Sequence, residues 1–422
     1  MYQELSVDLL RFLLSFSDAL DLVSPQLTQH QLRTAFIAWK IGEAAKVPSA
    51  DLEPVFIAAL LHDIGALTPD DKVSIHQGTY TEDIDLHCVW GEKVLKRSPL
   101  FGAPSRIVRH HHKPWVDWEQ ANETPLAFQS QILFLADTVE RAIDRGKYIL
   151  HQDREIISEI KTSAGSDFHP QLVDAFRSVA AREDFWLDLV SPRLMDILLE
   201  GAPCRNTHIG QSSFRDIAEL IRNITDFRSR YTATHSLRVS TAAASISKVV
   251  GFSESEVELM HLVGDLHDLG KMAVPNSILE KPAKLNRYEF AIIRRHSYYT
   301  YSILIRSGFS QHLAEWAGFH HEKLDGSGYP FHLDSKRINI GSRIIIAADI
   351  FTALAEERPY RKPLEEPQVV TLMERMGQRG HVDKHLIHLL KENYDELHEQ
   401  TTAGRIVAEE YCEREFGIHP VR

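Results

Sequence analysis

Cysteine is scarce in this chain. Cys88, Cys204 and Cys412 are the three among 422 residues, far apart and without a C-x-x-C pair. That spacing argues against a disulfide framework and against a thiolate zinc site, and a reducing cytoplasm is the expected compartment. Long apolar runs are missing too. No stretch approaches the roughly 20 residues of a membrane span, and the start, Met1-Tyr-Gln-Glu-Leu-Ser-Val-Asp, lacks a charged segment with a following cleavage site. Positive charge is in deficit, with 47 Lys and Arg against 59 Asp and Glu and a formal net charge of −12. This speaks against bulk nucleic acid and anionic membrane as partners. An anionic ligand must be attracted locally, by metal ions or a few basic side chains. Alternating strand patterns are scarce as well.

What the sequence does contain is helix. Apolar residues are 43% and charged residues 25% of the chain, the balance of an ordinary globular protein. Its length suggests two or three domains. Leu5, Leu9, Phe12, Leu13 and Phe16 form a stripe of helical period over 5–19, and 51–61, 132–143, 214–224, 254–266 and 368–376 read similarly. Loops bearing Pro and Gly interrupt them, at Lys281-Pro-Ala-Lys and Leu324-Asp-Gly-Ser-Gly-Tyr-Pro. The fold expected is all-α, in two tandem helical domains over 1–200 and 201–422, with a linker from Glu200 to Gly210.

The division rests on an internal repeat. His30, His62-Asp63, His87, His111-His112 and Asp137 recur as His235, His267-Asp268, His296, His320-His321 and Asp349. The first gap is 32 residues in both halves, the next 25 and 29, then 24 and 24, then 25 and 28. The flanks repeat too. Ala59-Leu-Leu-His-Asp-Ile-Gly parallels Gly264-Asp-Leu-His-Asp-Leu-Gly, and Ile132-Leu-Phe-Leu-Ala-Asp parallels Ile344-Ile-Ile-Ala-Ala-Asp.

Neutral imidazoles with carboxylates suit iron, manganese, nickel and zinc. In an adjacent His-Asp pair the His can bind one ion while the carboxylate bridges two. Ions about 3.5–4 Å apart can share a water and make it a hydroxide near neutral pH. A lone His-Asp dipeptide, a His-His pair on a solvated face, or an Asp at a helix end carries no such meaning alone. The whole set, twice and in one order, does.

At this point the second half resembles a known family. His267-Asp-Leu-Gly-Lys271 and His320-His-Glu-Lys-Leu-Asp-Gly-Ser-Gly-Tyr-Pro330 are similar to the HD-GYP phosphodiesterases of cyclic di-GMP, supported by Tyr231-Thr-Ala-Thr-His235, Val274 to Pro282, Ala348-Asp-Ile-Phe and Arg358-Pro-Tyr-Arg361. The likeness spans about residues 212–395. It implies a helical HD fold that hydrolyses a cyclic dinucleotide, cyclic di-GMP or 3′3′-cyclic GMP-AMP, to the linear dinucleotide. It implies two divalent ions, Fe, Mn or Ni, with Zn also compatible. His235, His267, Asp268 and Asp349 would hold one ion. Asp268 would bridge to a second on His296, His320 and His321. Asp268 and Lys271 would be catalytic. Lys271, Arg358, Arg361, Gly328 and Tyr329 would bind substrate. Tyr231 stands where some members have a Glu for a third ion, so two ions are expected. Ala283, Thr300 and Glu357 depart from the family pattern.

The first half resembles the broader HD superfamily. His30, His62, Asp63, His87, His111, His112 and Asp137 make a second candidate metal site, but Ala66 stands in place of Lys271, Lys113-Pro-Trp-Val-Asp-Trp replaces the Gly-Tyr-Pro loop, and Gly146 and Ile149 replace the two arginines. A regulatory or dimerising domain, the latter giving a homodimer, is preferred over a second hydrolase. Three other functions compete: an HD phosphohydrolase of nucleotides or alarmones, a cyclic-dinucleotide receptor without hydrolysis, and a di-iron sensor.

Overall fold

The structure, a computed structural model, describes residues 5–22, 24–66, 69–76, 85–118, 124–204, 207–228, 234–356 and 363–416. Tyr231, Glu357, Arg358 and Arg361 lie outside them. The chain is all-α, with twenty-one α-helices among the described residues and one sheet of two three-residue strands. No described helix is long and apolar enough to cross a membrane.

The helices fall into two compact units. One is Asp8–Ile209; the other is Gly210–Arg422 with Met1–Val7. In the stretch read as a linker, a helix ends at Gly201 and strand begins at His208.

Within each unit the same helices carry the repeat. In the first, His30–Ala44 packs on Ser49–Leu61 and Pro125–Arg141, while Asp85–Leu95 packs on Gly102–Arg109. In the second, His235–Val250 packs on Glu254–Leu266 and Ile340–Ala355, while Arg287–Arg306 packs on Gln311–Gly318. Each unit has its own core. Phe12, Phe36, Phe56 and Trp186 are fully buried in the first, and Phe214, Trp316 and Phe351 in the second. Each such side chain contributes about 1.5–3 kcal/mol by leaving water.

The local sequence explains where helices start. Glu254–Leu266 opens on a capping box, in which the Ser253 hydroxyl accepts from the Glu256 amide and Glu256 reaches back to Ser253. The first predicted helix is shorter than its apolar stripe. Ser6–Asp8 is a strand, and the Asp8 carboxylate caps a helix that begins at Leu9. Leu5 is buried all the same, so it kept the spacing of a helix without belonging to one. The helix Glu254–Leu266 has the bounds that its apolar period marks. A 3₁₀ turn, Leu269–Ala273, follows His267-Asp268, so Lys271 lies three residues past Asp268 on that turn.

Candidate functional site: a histidine–aspartate cluster in each unit

The turn after Glu254–Leu266 places His267 and Asp268 in the interior of the second unit. His235 comes from the first residue of its helix, His296 from mid-helix, His320 and His321 from just beyond Gln311–Gly318, and Asp349 from within Ile340–Ala355. Asp349 is thus no helix-end carboxylate; it is a buried one. The side chains converge. His235 Nε2 lies 3.2 Å from Asp349 and 3.8 Å from Asp268, and His267 Nε2 lies 3.2 Å from Asp268. On the other side of the same carboxylate, Asp268 Oδ1 is 3.6 Å from His296 Nε2 and 3.9 Å from His320 Nε2. His321 Nδ1 is 3.8 Å from Asp349 and is the exposed member, with 31% of its side chain accessible.

The donors fit divalent ions. The Nδ1 atoms of His267, His296 and His320 donate to the carbonyls of Gly264, Ile293 and Ala317, at 2.7, 2.6 and 2.6 Å. That leaves each Nε2 as the lone-pair atom facing inward. His267 Nε2 is buried with no hydrogen bond. Burial, then the neighbouring His321, lowers His296 to about 3, and burial holds His320 well below the usual imidazole range. Asp268 is held well below the carboxylate range; burial opposes this, but His267 and Lys271 outweigh it. Neutral His296 and His320 facing an ionised carboxylate are in the protonation states that metal binding requires, whereas at His267 burial is outweighed by Asp268, which raises that imidazole. The donors group as His235, His267 and Asp268 on one side and His296, His320 and His321 on the other.

The first unit repeats the cluster. His30 Nε2 is 3.2 Å from His62 Nε2, 3.4 Å from Asp137 and 3.6 Å from Asp63, and His87 Nε2 is 3.8 Å from Asp63 and 3.3 Å from His111 Nε2. His62 and His111 donate Nδ1 to Ala59 and Val108 carbonyls at 2.9 and 2.7 Å. His112 packs against His111 and Phe134.

Several site residues were missed in the sequence. His30 Nδ1 donates to Glu140 at 2.5 Å, and His235 Nδ1 to Glu356 at 2.9 Å. Burial works against a charged His30, but Glu140 outweighs it and raises His30 to about 9. His76 joins His30 and Glu140. Asp21 and Asp226 each stand nine residues before the first histidine. Asp21 accepts from the Gln31 amide and Asp226 from the Ser236 amide, both at 3.0 Å, one residue past that histidine. The equal offset was a visible signal, and extending the repeat upstream would have found the pair. Glu140 and Glu356 follow their aspartates by three and seven residues, so no common spacing marked them.

Burial raises Asp226 to about 6, from 3.8. An acid raised on folding binds its proton more tightly in the native state, so its contribution is full below 3.8 and is lost as pH climbs through 6. In chelator-treated protein, the denaturant midpoint should fall over that window. In Asp226→Asn the fall should flatten, and an unchanged slope would contradict the assignment.

The loop after His321 differs between units. In the second, the buried Glu322 carboxylate accepts from the amides of Phe331 at 2.6 Å and Leu333 at 2.9 Å, drawing the loop back on itself. Gly328 lies so close to Glu322 that a Cβ would sit 2.4 Å from its Cα. The Tyr329 ring therefore rests on His321 at 4.9 Å, next to Phe290 and Arg294. Lys271 makes a close ion pair with Asp268. In the first unit, Trp115 and Val116 are instead bonded to the backbone of Asp167 and Ser166. Arg141 and Arg145 pair with Asp137 and Glu140, at 3.5 and 2.7 Å, so these cations face the cluster's own carboxylates. Thr300 has a role of its own: its hydroxyl accepts from the Gly270 amide and donates to the His267 carbonyl, both at 2.9 Å.

Helices that present two such clusters define an HD-type metal-binding protein. Models of the HD domain match residues 27–142 and 218–386, and the chain belongs to the HD-domain family, with two such domains in tandem. It is 29% identical to 3′3′-cGAMP-specific phosphodiesterase 1 of Vibrio cholerae, over 95% of this chain and 95% of that one. It is 26% identical to phosphodiesterase 3 of that set, over 86% and 89%. A cyclic di-GMP phosphodiesterase of Thermotoga maritima is 38% identical over 36% of this chain and 42% of its own length. Among solved structures, a cyclic GMP-AMP specific phosphodiesterase from V. cholerae superposes with a TM-score of 0.65 at 24% identity, covering 92% and 98% of the two chains, a likeness of fold.

Proposed function

We propose that the second unit hydrolyses a cyclic dinucleotide to its linear form, with 3′3′-cyclic GMP-AMP the first substrate and cyclic di-GMP the second. The observation that carries this is the pairing, in that unit, of a complete His/Asp cluster with a cationic and aromatic rim of Lys271, Arg294, Phe290 and Tyr329. The relatives matching nearly the whole chain are named for the mixed dinucleotide.

Two divalent ions bound there supply Lewis acidity and an activated water. His235, His267, Asp268 and Asp349 would hold one, and His296, His320 and His321 the other, with Asp268 placed between the two groups. Lys271 stands beside the shared carboxylate, where its ammonium can turn to a phosphate oxygen. Tyr329 and Phe290 offer faces for a base. Arg358 and Arg361 complete the grip on the second phosphate in this reading, and the first unit regulates.

The test is chromatography of products from full-length protein supplied with manganese, iron or nickel and given both cyclic dinucleotides, an alarmone and a nucleoside triphosphate. A linear dinucleotide is expected. Breakdown of the alarmone or triphosphate alone would overturn the assignment, as would binding without product. Lys271→Ala should lower kcat/KM about 10- to 150-fold, the worth of one charge-assisted hydrogen bond of about 1.5–3 kcal/mol. A change under twofold would remove Lys271 from the site.

A further inference from the structure

The two clusters differ at one position inside the metal-binding set. The residue after the third histidine is Cys88 in the first unit and Ser297 in the second. The repeated helix gives both side chains the same setting. Ser297 Oγ lies 3.3 Å from His296 Nε2, and Cys88 Sγ lies 3.7 Å from His87 Nε2. Cys88 is buried, and its sulfur lies beside the His111 ring, 3.5 Å from the Nδ1 that is bonded to the Val108 carbonyl, so His111 would bind an ion through Nε2. His87, Cys88, His111 and His112 each bring a ligand atom into one group whose members lie within 4.8 Å of one another. A second feature points to an ion there: His112 Nε2 is buried with no hydrogen-bond partner.

Zinc bonds of about 2.0 Å to nitrogen and 2.3 Å to sulfur, arranged tetrahedrally, put nitrogen donors about 3.3 Å apart and nitrogen and sulfur about 3.5 Å apart. His87 and His111 are 3.3 Å apart, and Cys88 and His87 are 3.7 Å apart. We propose that His87, Cys88, His111 and His112 form a closed, four-donor zinc site, with the Cys88 thiolate as the ligand that distinguishes the first unit from the second.

Binding forms the zinc–sulfur bond as the S–H bond breaks, and the proton passes to solvent. A serine hydroxyl at the matching place keeps its proton and is a poor ligand, so an ion on His296, His320 and His321 retains an open position. Four protein donors leave none, which is the arrangement of structural zinc. The soft sulfur also favours zinc over iron or manganese. The cysteine scarcity that argued against a thiolate site thus has one exception, in a mixed set of three imidazoles and one thiolate. It gives a chemical reason for the first unit to keep its ligands while differing from the second in every phosphate-facing residue.

The probe is cobalt(II), added to metal-free, full-length protein under reducing conditions. Cobalt can fill both units, but only a thiolate ligand gives the sulfur-to-cobalt charge-transfer band in the near ultraviolet. The band should level off, once cobalt is in excess, at the intensity of one thiolate site per chain, disappear on adding zinc, and be lost in Cys88→Ser. The Cys204→Ser/Cys412→Ser double variant keeps Cys88 as its one thiol and should retain the full band. Cobalt bound by that folded double variant without the band would overturn the proposal, as would a band that persists in Cys88→Ser. If Cys88→Ser fails to fold, the double variant alone decides.

Discussion

Asp268→Ala should abolish hydrolysis of cyclic dinucleotides while leaving the protein folded. Asp268 is the carboxylate that both sides of the second cluster share: His267 and His235 approach one oxygen, His296 and His320 the other. Losing it removes the bond between the two halves of the site, not one ligand of several. Two-ion stabilisation is worth several kcal/mol, and each 1.36 kcal/mol is tenfold in rate, so turnover should fall by at least about 10³-fold. The fold should survive, because the second unit is held by its own apolar core, Phe214, Trp316 and Phe351 among it, and by helix packing that does not pass through this carboxylate. Retention of turnover within tenfold by a folded, metal-replete Asp268→Ala protein would remove the shared carboxylate from the mechanism. His267→Ala should behave alike, since its Nε2 faces the same carboxylate, 3.2 Å away, in the His235, His267 and Asp268 group.

Much of this site could be read from residue order alone. Metal ligands must meet in space, so their spacing is constrained by helix lengths, and a duplication preserves it. That is why His235, His267, Asp268, His296, His320, His321 and Asp349 could be grouped from the sequence, and these side chains do converge in the second unit. The second layer was less legible. Glu140 and Glu356 reach their histidines from different places, one inside a helix and one just past its end, so the same function left no common pattern. Asp21 and Asp226 did share an offset, but a carboxylate nine residues upstream of a helix start looks like any other. The thiol at Cys88 stands alone among the cysteines; beside His87, its partners in the cluster are His111 and His112, more than twenty residues away in sequence. Helix ends were hardest. Apolar spacing runs back through Leu5, where capping by Asp8 decides the start of the first helix.

Gly270→Ala and Gly65→Ala, a matched pair, should separate the two units. In each unit the glycine two residues past the His-Asp pair lies against the helix that carries the third histidine. A Cβ on Gly270 would lie 2.0 Å from the His296 carbonyl oxygen and 2.8 Å from the Thr300 amide. On Gly65 it would lie 2.0 Å from the His87 carbonyl oxygen and 2.4 Å from the Gly91 amide. The obstacles are backbone, which cannot rotate aside, so the turn or the helix must move by about an ångström, at a cost of about 1–3 kcal/mol. The turn carries Asp268 and the helix carries His296, whose donors are 3.6 Å apart and must serve the same ion pair. Metal bonds tolerate only about ±0.2 Å, and a misplacement of about 1 Å can cost about 10²-fold in rate. Gly270→Ala should therefore lose at least that much turnover on either cyclic dinucleotide, together with the metal of the second unit. Gly65→Ala should lose metal from the first unit while turnover stays within about threefold, because Lys271, Tyr329 and the second cluster are untouched. The measurements are metal content and product formation for both variants beside the parent protein. If Gly65→Ala is as inactive as Gly270→Ala while its second unit remains fully loaded, the first unit takes part in the chemistry and the division of labour between the two is wrong.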